Sequence, residues 1–154
     1  MPAQVANGEY WRLLTANFMH AGLLHLALNC LALFYIAPDA EAVFGGRRFL
    51  AIFLLTGLSG SVASYLLTDL VTVGASGALF GLLGALAAYF VRNPGLQRAQ
   101  QQLFFILGVC ALNLALGSDD GSMIDNTGHI AGFASGLWLG WWLSPKWKVR
   151  AAAS

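Results

Sequence analysis

The chain has 154 residues, of which 58% are hydrophobic and 10% are charged, and its formal net charge is +1. Soluble domains carry about 25% charged residues, so this composition excludes an ordinary soluble globular protein. The few charges are dispersed among the predicted loops, which gives no basic patch for nucleic acid. The sequence therefore predicts an integral membrane protein with one membrane domain and no soluble appendage.

Residues 1–12 contain no apolar core of the kind that a signal peptide carries, and they are predicted to form a loop. After them, five apolar segments separated by charged residues or by Pro and Gly are predicted to cross the membrane. The first is predicted to stop at Pro38, and the first and fourth are short for a span, which takes about 20 residues. The predicted fold class is all-α, a polytopic transmembrane helical bundle with spans at residues 23–37, 49–67, 74–91, 103–116 and 127–143.

The basic residues predict an orientation for these spans. If the spans alternate in direction, seven of the eight basic residues fall on one side, which is predicted to be cytoplasmic because cytoplasmic loops are enriched in lysine and arginine. These seven are Arg47, Arg48, Arg92, Arg98, Lys146, Lys148 and Arg150. Residues 144–154 would then form a basic cytoplasmic tail. The acidic residues predicted on the opposite side are Glu9, Asp69, Asp119, Asp120 and Asp125.

Four polar side chains are then predicted at one depth, just below the outer surface. His25 and Asn29 lie in the outer half of the first span, while Ser76 and His129 begin the third and fifth spans. Ionisable residues inside a membrane are costly and indicate function. A serine beside a histidine predicts a nucleophile and its base, and hence hydrolysis within the bilayer. Taken alone, Ser76 is equally typical of an N-cap or packing residue, and His129 of a histidine near the interface.

Glycines near Ser76 and His129 favour close packing of the third and fifth spans. Small residues four apart let helix backbones approach closely in lipid, although they occur in many membrane bundles. Packing on these glycines would bring Ser76 within reach of His129. They are Gly77 and Gly81 on the third span and Gly132, Gly136 and Gly140 on the fifth.

His25 and Asn29 are four residues apart and share one face of a helix. Both can donate hydrogen bonds, so with the backbone N–H of Ser76 they are candidates for an oxyanion hole. The alternative is an interhelical hydrogen-bond pair, worth about 1 kcal/mol in membranes.

No carboxylate is obviously placed to orient His129, because Asp125 is predicted to lie in a loop. A Ser-His dyad is therefore predicted, with Phe80 as a ring that could stack on the imidazole. No metal or other cofactor is implied, because the three histidines lack the spacing of a zinc motif and no carboxylate or thiol joins them. His20, near the outer surface, is predicted to cap or anchor a loop.

Between residues 10 and 142, these patterns resemble those of the rhomboid intramembrane serine proteases. Trp11-Arg12 resembles the Trp-Arg motif of their first external loop, and His25 with Asn29 matches their His-x-x-x-Asn motif. The resemblance implies a rhomboid-like core at residues 23–143 that follows an external loop at residues 1–22. The remaining matches are Glu41 and Gly45 for Glu-x-x-x-Gly, Gly74 to Gly77 for the nucleophile motif, and Gly128 to Gly132 with Gly136 for the histidine helix.

The resemblance also implies roles. Ser76 would be the nucleophile and His129 the general base and acid. The oxyanion hole would consist of His25, Asn29 and the Ser76 N–H.

The resemblance further implies that Trp11 and Arg12 brace the external loop and that Glu41 stabilises a turn on the cytoplasmic side. The alternatives are an interfacial anchor for Trp11 and a solvated charge for Glu41. The family core has six spans, one of which precedes the Trp-Arg loop, whereas this chain begins almost at that loop. We expect that the chain is a fragment. The alternatives are that a partner supplies the missing helix, or that the protein works without it.

The leading functional hypothesis is an intramembrane serine endopeptidase that cuts transmembrane protein substrates near the outer leaflet. It requires a water-accessible polar cavity lined by His25, Asn29, Ser76 and His129. A bacterial inner membrane with the site facing outward is the simplest setting, and an organelle membrane is the alternative. The competing hypotheses are a non-catalytic rhomboid-like protein that binds membrane proteins, and a transporter or channel.

Overall fold

A computed structural model of the chain describes residues 2–68, 73–118 and 124–145. All regular elements in these ranges are helical, which confirms the all-α prediction. A 3-10 turn at Ala16–Phe18 follows the second helix. The α-helices are α1 Pro2–Ala6, α2 Arg12–Thr15, α3 Leu23–Phe44, α4 Gly46–Leu67, α5 Ser76–Arg92, α6 Ala99–Leu116 and α7 Asn126–Leu143.

The helices α3 to α7 correspond in order to the five predicted spans. Of these, α3, α4 and α6 are long and apolar enough to cross a membrane, with 22, 22 and 18 residues, and α5 is a shorter apolar helix. Three helices begin earlier than predicted, because α4 starts at Gly46, α6 at Ala99 and α7 at Asn126. Arg47 and Arg48 therefore lie inside the first turn of α4 rather than before it.

The prediction that the first span stops at Pro38 is wrong, because α3 continues through Pro38 to Phe44. Proline lacks an N–H and removes one hydrogen bond, a loss that membrane helices tolerate where other groups satisfy the backbone. The helix ends at Gly45 instead, with a φ of 77° that suits glycine. The Gly45 N–H donates to the Glu41 carbonyl at 2.7 Å, which places Glu41 in the last turn of α3.

The prediction of a loop at residues 1–12 is also wrong, because this segment contains α1 and the first residue of α2. A helix as short as α1 is not stable alone and depends on packing. Val5 supplies that packing, since its side chain is fully buried. A single valine among small and polar neighbours gives no helical periodicity, which is why the sequence did not reveal the element.

The helix α5 forms the centre of the bundle, and its residues 78–89 are all buried. By contrast, α3 and α6 are peripheral, because only 11% and 17% of their most apolar 18-residue stretches are buried. Their exposed side chains are large and apolar, as expected for surfaces that face lipid. Examples are Leu28, Leu31, Phe34, Phe104, Phe105 and Leu112.

The backbones of α5 and α7 are in direct contact through glycines. A Cβ atom added to Gly132 would collide with the carbonyl oxygen of Gly77, and one added to Gly136 would collide with that of Gly81. On its other side, Gly81 lies against the Thr56 side chain of α4. Four of the five glycines that the sequence predicts to favour close packing therefore face each other across the α5–α7 contact, and the fifth, Gly140, lies against the Ala85 backbone.

Two arginines join the end of α7 to neighbouring helices at the end of the bundle that we call the arginine end. Arg92 of α5 donates to the Trp141 carbonyl, and its guanidinium lies 5.2 Å from the centroid of the Trp141 ring. Arg48 of α4 donates to the Leu143 carbonyl at 3.2 Å. The start of α4 and the ends of α5 and α7 therefore lie together, as expected for helices that alternate in direction. The other predicted loop and tail charges Asp69, Asp119, Asp120, Lys146, Lys148 and Arg150 lie outside the described residues.

The contact between α5 and α7 can be tested with single methyl groups. We expect Gly136→Ala to lower the free energy of unfolding by about 1–3 kcal/mol, because the backbone that it meets cannot move aside easily. Gly108→Ala in α6 is the matched control, since its Cβ would enter open space and alanine favours helix by up to about 1 kcal/mol. Denaturant titration in detergent micelles measures both. Equal stability of the two variants would contradict the packing described.

Candidate active site

Ser76 and His129 lie close together at the end of the bundle opposite the arginine end. Ser76 is the first residue of α5, and His129 lies in the first turn of α7. The Ser76 Oγ and His129 Nε2 atoms are 2.8 Å apart, within hydrogen-bond distance. A hydroxyl in this position can transfer its proton to the imidazole as it attacks a carbonyl carbon.

The imidazole of His129 is held by stacking. The rings of Phe80 and His129 have centroids 4.2 Å apart and planes inclined by 7°, which confirms the predicted stacking. The ring is 4% exposed. Its Nδ1 atom is buried and has no hydrogen-bond partner among the described residues. Among the described residues, the imidazole is therefore positioned by Phe80 and Ser76, and none of their carboxylates bonds its second nitrogen.

Asp125, predicted to lie in a loop, is the N-cap of α7. Its Oδ1 atom accepts a hydrogen bond from the Gly128 N–H at 2.9 Å, and its Oδ2 atom accepts one from the Ser64 hydroxyl of α4. Aspartate before the first turn of a helix is a common N-cap, so this arrangement had a signal in the sequence. The contact with Ser64 had none, because 61 residues separate the two positions.

The predicted oxyanion-hole residues lie near one another on α3. Asn29 is 7% exposed, and its Nδ2 donates to the His25 carbonyl at 2.9 Å. An amide nitrogen carries two N–H groups, and this hydrogen bond uses one of them. The His25 Nδ1 atom accepts from the Ala21 N–H at 3.4 Å, which puts the proton of a neutral ring on Nε2.

Gly74 is the contact between His25 and the segment that precedes Ser76. Its φ is 109°, and a Cβ atom there would lie 2.8 Å from the His25 Nε2 atom. Its N–H donates to the Ala16 carbonyl at 2.9 Å. His20 lies beside His25 with its ring nearly perpendicular, at 72° and a centroid distance of 5.2 Å. Glycine is required here both for the backbone conformation and for the approach of the imidazole.

A small cavity of about 10 Å³ borders Ser76 and His129, close to the smallest space that holds one water molecule. His25 and Asn29 are not among the residues that line this cavity, so a cavity lined by all four predicted residues stays a prediction. His25 packs against Gly74, and Gly74 itself forms part of the wall. The remaining wall residues are Asn17, Gly57, Gly60, Ser61, Gly77, Asp125 and Gly128.

Asn17 is a wall residue that the sequence analysis missed. It is 4% exposed, and its Nδ2 donates to the carbonyls of Leu13 at 3.3 Å and Leu14 at 3.1 Å. Its amide oxygen faces Gly57 of α4. A lone asparagine before a span carries no motif, so no signal in the sequence indicates this position.

The Trp-Arg pair lies on the surface of the segment before α3. Arg12 forms an ion pair with Glu9 at 2.6 Å, which links the loop to the start of α2. The Trp11 side chain is 62% exposed, as an interfacial anchor would be. At the other end of the bundle, Glu41 Oε1 would lie 3.2 Å from a Cβ atom on Gly46, so this carboxylate lies at the turn between α3 and α4.

The chain matches a family model described as Rhomboid domain over residues 7–146. It is 40% identical over 139 residues to the Rhomboid protease GluP of Bacillus subtilis (strain 168), covering 86% of this chain and 26% of that protein. It is 40% identical over 138 residues to RHOMBOID-like protein 4 of Arabidopsis thaliana, covering 88% of this chain and 34% of that protein. For the putative rhomboid protease YdcA of Bacillus subtilis (strain 168), the identity is 37% over 138 residues, covering 88% of this chain and 68% of that protein.

The two roles of Gly74 can be separated by substitution. We expect Gly74→Ala to lower the free energy of unfolding by about 1 kcal/mol more than Gly8→Ala does. Both glycines have a positive φ, but of the two only Gly74 is in contact with a ring. Gly8→Ala carries the strain of a positive φ alone, about 1–3 kcal/mol, and Gly95→Ala carries neither cost. Thermal unfolding in detergent measures the series. Equal losses for Gly8→Ala and Gly74→Ala would contradict the contact with His25.

Proposed function

Because the chain belongs to the rhomboid family, we propose that it is an intramembrane serine endopeptidase that cleaves transmembrane proteins with a Ser-His dyad. The chain is an integral membrane protein, and its relatives include proteins named as rhomboid proteases. The single observation that carries the proposal is the distance of 2.8 Å between Ser76 Oγ and His129 Nε2.

The proposed reaction begins with attack of Ser76 Oγ on the carbonyl carbon of the scissile peptide bond. His129 Nε2 accepts the hydroxyl proton during the attack and then gives it to the leaving amine. This leaves an acyl group on Ser76. Water, activated by His129, hydrolyses this ester and restores the free serine. Stacking on Phe80 keeps the imidazole in one plane throughout both steps.

The negative charge of each tetrahedral intermediate requires donors near Ser76. The Ser76 N–H is at the start of a helix, where N–H groups have no partner inside the helix and the helix dipole favours negative charge. The His25 Nε2–H lies against Gly74, and Asn29 has a second amide N–H. We propose that these three groups form the oxyanion hole.

The position of the dyad supports a transmembrane substrate. Ser76 and His129 lie at the starts of their helices, near one end of the bundle rather than at its middle. A substrate helix hides its peptide carbonyls in its own hydrogen bonds, so it must unwind locally to reach Ser76. We propose cleavage near the outer leaflet, with the arginine end in the cytoplasm and a bacterial inner membrane as the setting.

A fluorescent fluorophosphonate tests the dyad directly in the purified chain in detergent. We expect labelling of the wild-type protein, none of Ser76→Ala, and a rate lower by about 10²–10⁴ for His129→Ala, which loses the general base. Ser135→Ala is the control, because Ser135 lies on the same helix as His129 and, in the contacts described, its hydroxyl donates only to the Ala131 and Gly132 carbonyls of that helix, at 2.8 and 2.9 Å. Unlabelled wild-type protein, with Ser135→Ala equally unlabelled, would favour a non-catalytic protein that binds membrane proteins, or an inactive fragment.

The oxyanion hole has its own test. We expect Asn29→Ala to lower the maximal rate of labelling by about 10²–10³, the usual effect of removing one such donor. Asn93→Ala is a close match, because Asn93 is also buried and also donates to the carbonyl four residues earlier, at 2.8 Å. A rate for Asn29→Ala that equals the rate for Asn93→Ala would show that the amide acts on the fold alone.

A further inference from the structure

Asp125 and Ser64 hold the first turn of α7, which carries His129. We propose that these two residues are positioning residues for His129, and that their hydrogen bonds take the place of a carboxylate on the imidazole. The inference rests on the proposed function. It concerns the placement of the imidazole on Ser76.

The two oxygens of the Asp125 carboxylate make different connections. Oδ1 accepts from the Gly128 N–H at 2.9 Å and so fixes the first turn of α7. Oδ2 accepts from the Ser64 hydroxyl and so ties that turn to α4. Ser64 is 1% exposed, so the connection lies inside the bundle. The carboxylate therefore holds the first turn of α7 together and also joins it to α4.

The surroundings of this connection leave little room for movement. A Cβ atom on Gly128 would lie 3.1 Å from the Ser64 Oγ atom and 2.5 Å from Asp125 Oδ2. A Cβ atom on Gly60 of α4 would lie 2.8 Å from the Gly128 carbonyl oxygen. The two backbones are thus in contact at this point, and a shift of the first turn of α7 would have to break the hydrogen bonds to Asp125.

His129 depends on that turn for its position. Its N–H donates to the Asp125 carbonyl at 3.1 Å, which places it one turn after the cap. Its Nδ1 atom has no hydrogen-bond partner in the described part of the chain. Besides Phe80 and Ser76, no side chain described there would hold the ring in place if the start of α7 moved. A displacement of about 1 Å is enough to lower a rate by about 10²-fold. The anchor at Asp125 therefore controls the alignment of the dyad.

The experiment compares four variants of the full chain in detergent. Asp125→Ala removes both hydrogen bonds. Asp125→Asn keeps an oxygen for the Gly128 N–H and an amide that can donate to Ser64, but it removes the charge. Ser64→Ala removes only the connection to α4. Asn93→Ala is the control, because it removes a buried side chain that donates to the Pro145 carbonyl at 3.3 Å, beyond the other end of α7.

The first measurement is fluorophosphonate labelling, separated into a maximal rate and a half-saturating reagent concentration. We expect Asp125→Ala to lower the maximal rate by about 10–100-fold with little change in half-saturation, because alignment and not binding is lost. Ser64→Ala, which keeps the helix cap, should lower it by about 10-fold. Asp125→Asn should restore the wild-type rate to within about 3-fold, while Asn93→Ala should leave it unchanged.

Two results of the labelling experiment would overturn the inference. One is a loss in Asp125→Ala that is no larger than in Asn93→Ala, which would indicate a general effect on stability. The other is a failure of Asp125→Asn to restore the rate, which would show that hydrogen bonding is not the cause. Should Asp125→Ala not fold, Ser64→Ala decides by the same comparison with Asn93→Ala.

Amide hydrogen exchange of residues 126–132 keeps this test separate from the proposed function. If the wild-type chain is not labelled, the proposed function fails, but the exchange measurement still decides the anchor. We expect Asp125→Ala to speed exchange at Gly128 and His129 by about 10-fold, with wild-type rates in Asp125→Asn and Asn93→Ala. Unchanged exchange in Asp125→Ala would overturn the inference whatever the labelling shows.

Discussion

The backbones of α5 and α7 are in contact at Gly81 and Gly136, and the geometry of the site depends on that contact. Apolar side chains cannot drive helices together in lipid, which is as apolar as they are, so close packing of backbones must do it. The contact leaves no room for a side chain at Gly81 or Gly136. It also brings Ser76 to within 2.8 Å of His129, because each lies at the start of its helix at the same end of the bundle.

The membrane explains why polar groups lie at the two ends of this bundle. Helix ends carry unpaired backbone groups that need partners, and lipid supplies none. At the arginine end, Arg48 and Arg92 donate to the last carbonyls of α7. At the other end, Asp125 accepts from the first turn of the same helix. Side chains thus bond to both ends of α7, and Ser76 and His129 lie beside one of these ends.

The sequence predicts features that depend on local spacing and misses those that depend on distant contacts. The spacing of the glycines was enough to predict the contact of α5 with α7, and the ring one turn after Ser76 was enough to predict stacking on His129. Pro38 predicts a helix end, but α3 continues through it, because the membrane context overrides the local preference of proline. Asn17 and Ser64 carry no local pattern, and their contacts appear only when the chain is folded.

The placement of Asp125 offers a physical reason for a dyad without a carboxylate on the imidazole. An ion placed inside an apolar bundle loses its hydration, at a cost of several kcal/mol unless it is fully hydrogen-bonded. His129 Nδ1 is buried without a hydrogen-bond partner among the described residues, so a carboxylate beside it would be taken out of water. At the start of α7, it receives a backbone N–H and the Ser64 hydroxyl, and the helix dipole favours its charge. The bundle can thus hold its histidine firmly while the negative charge stays where the backbone stabilises it.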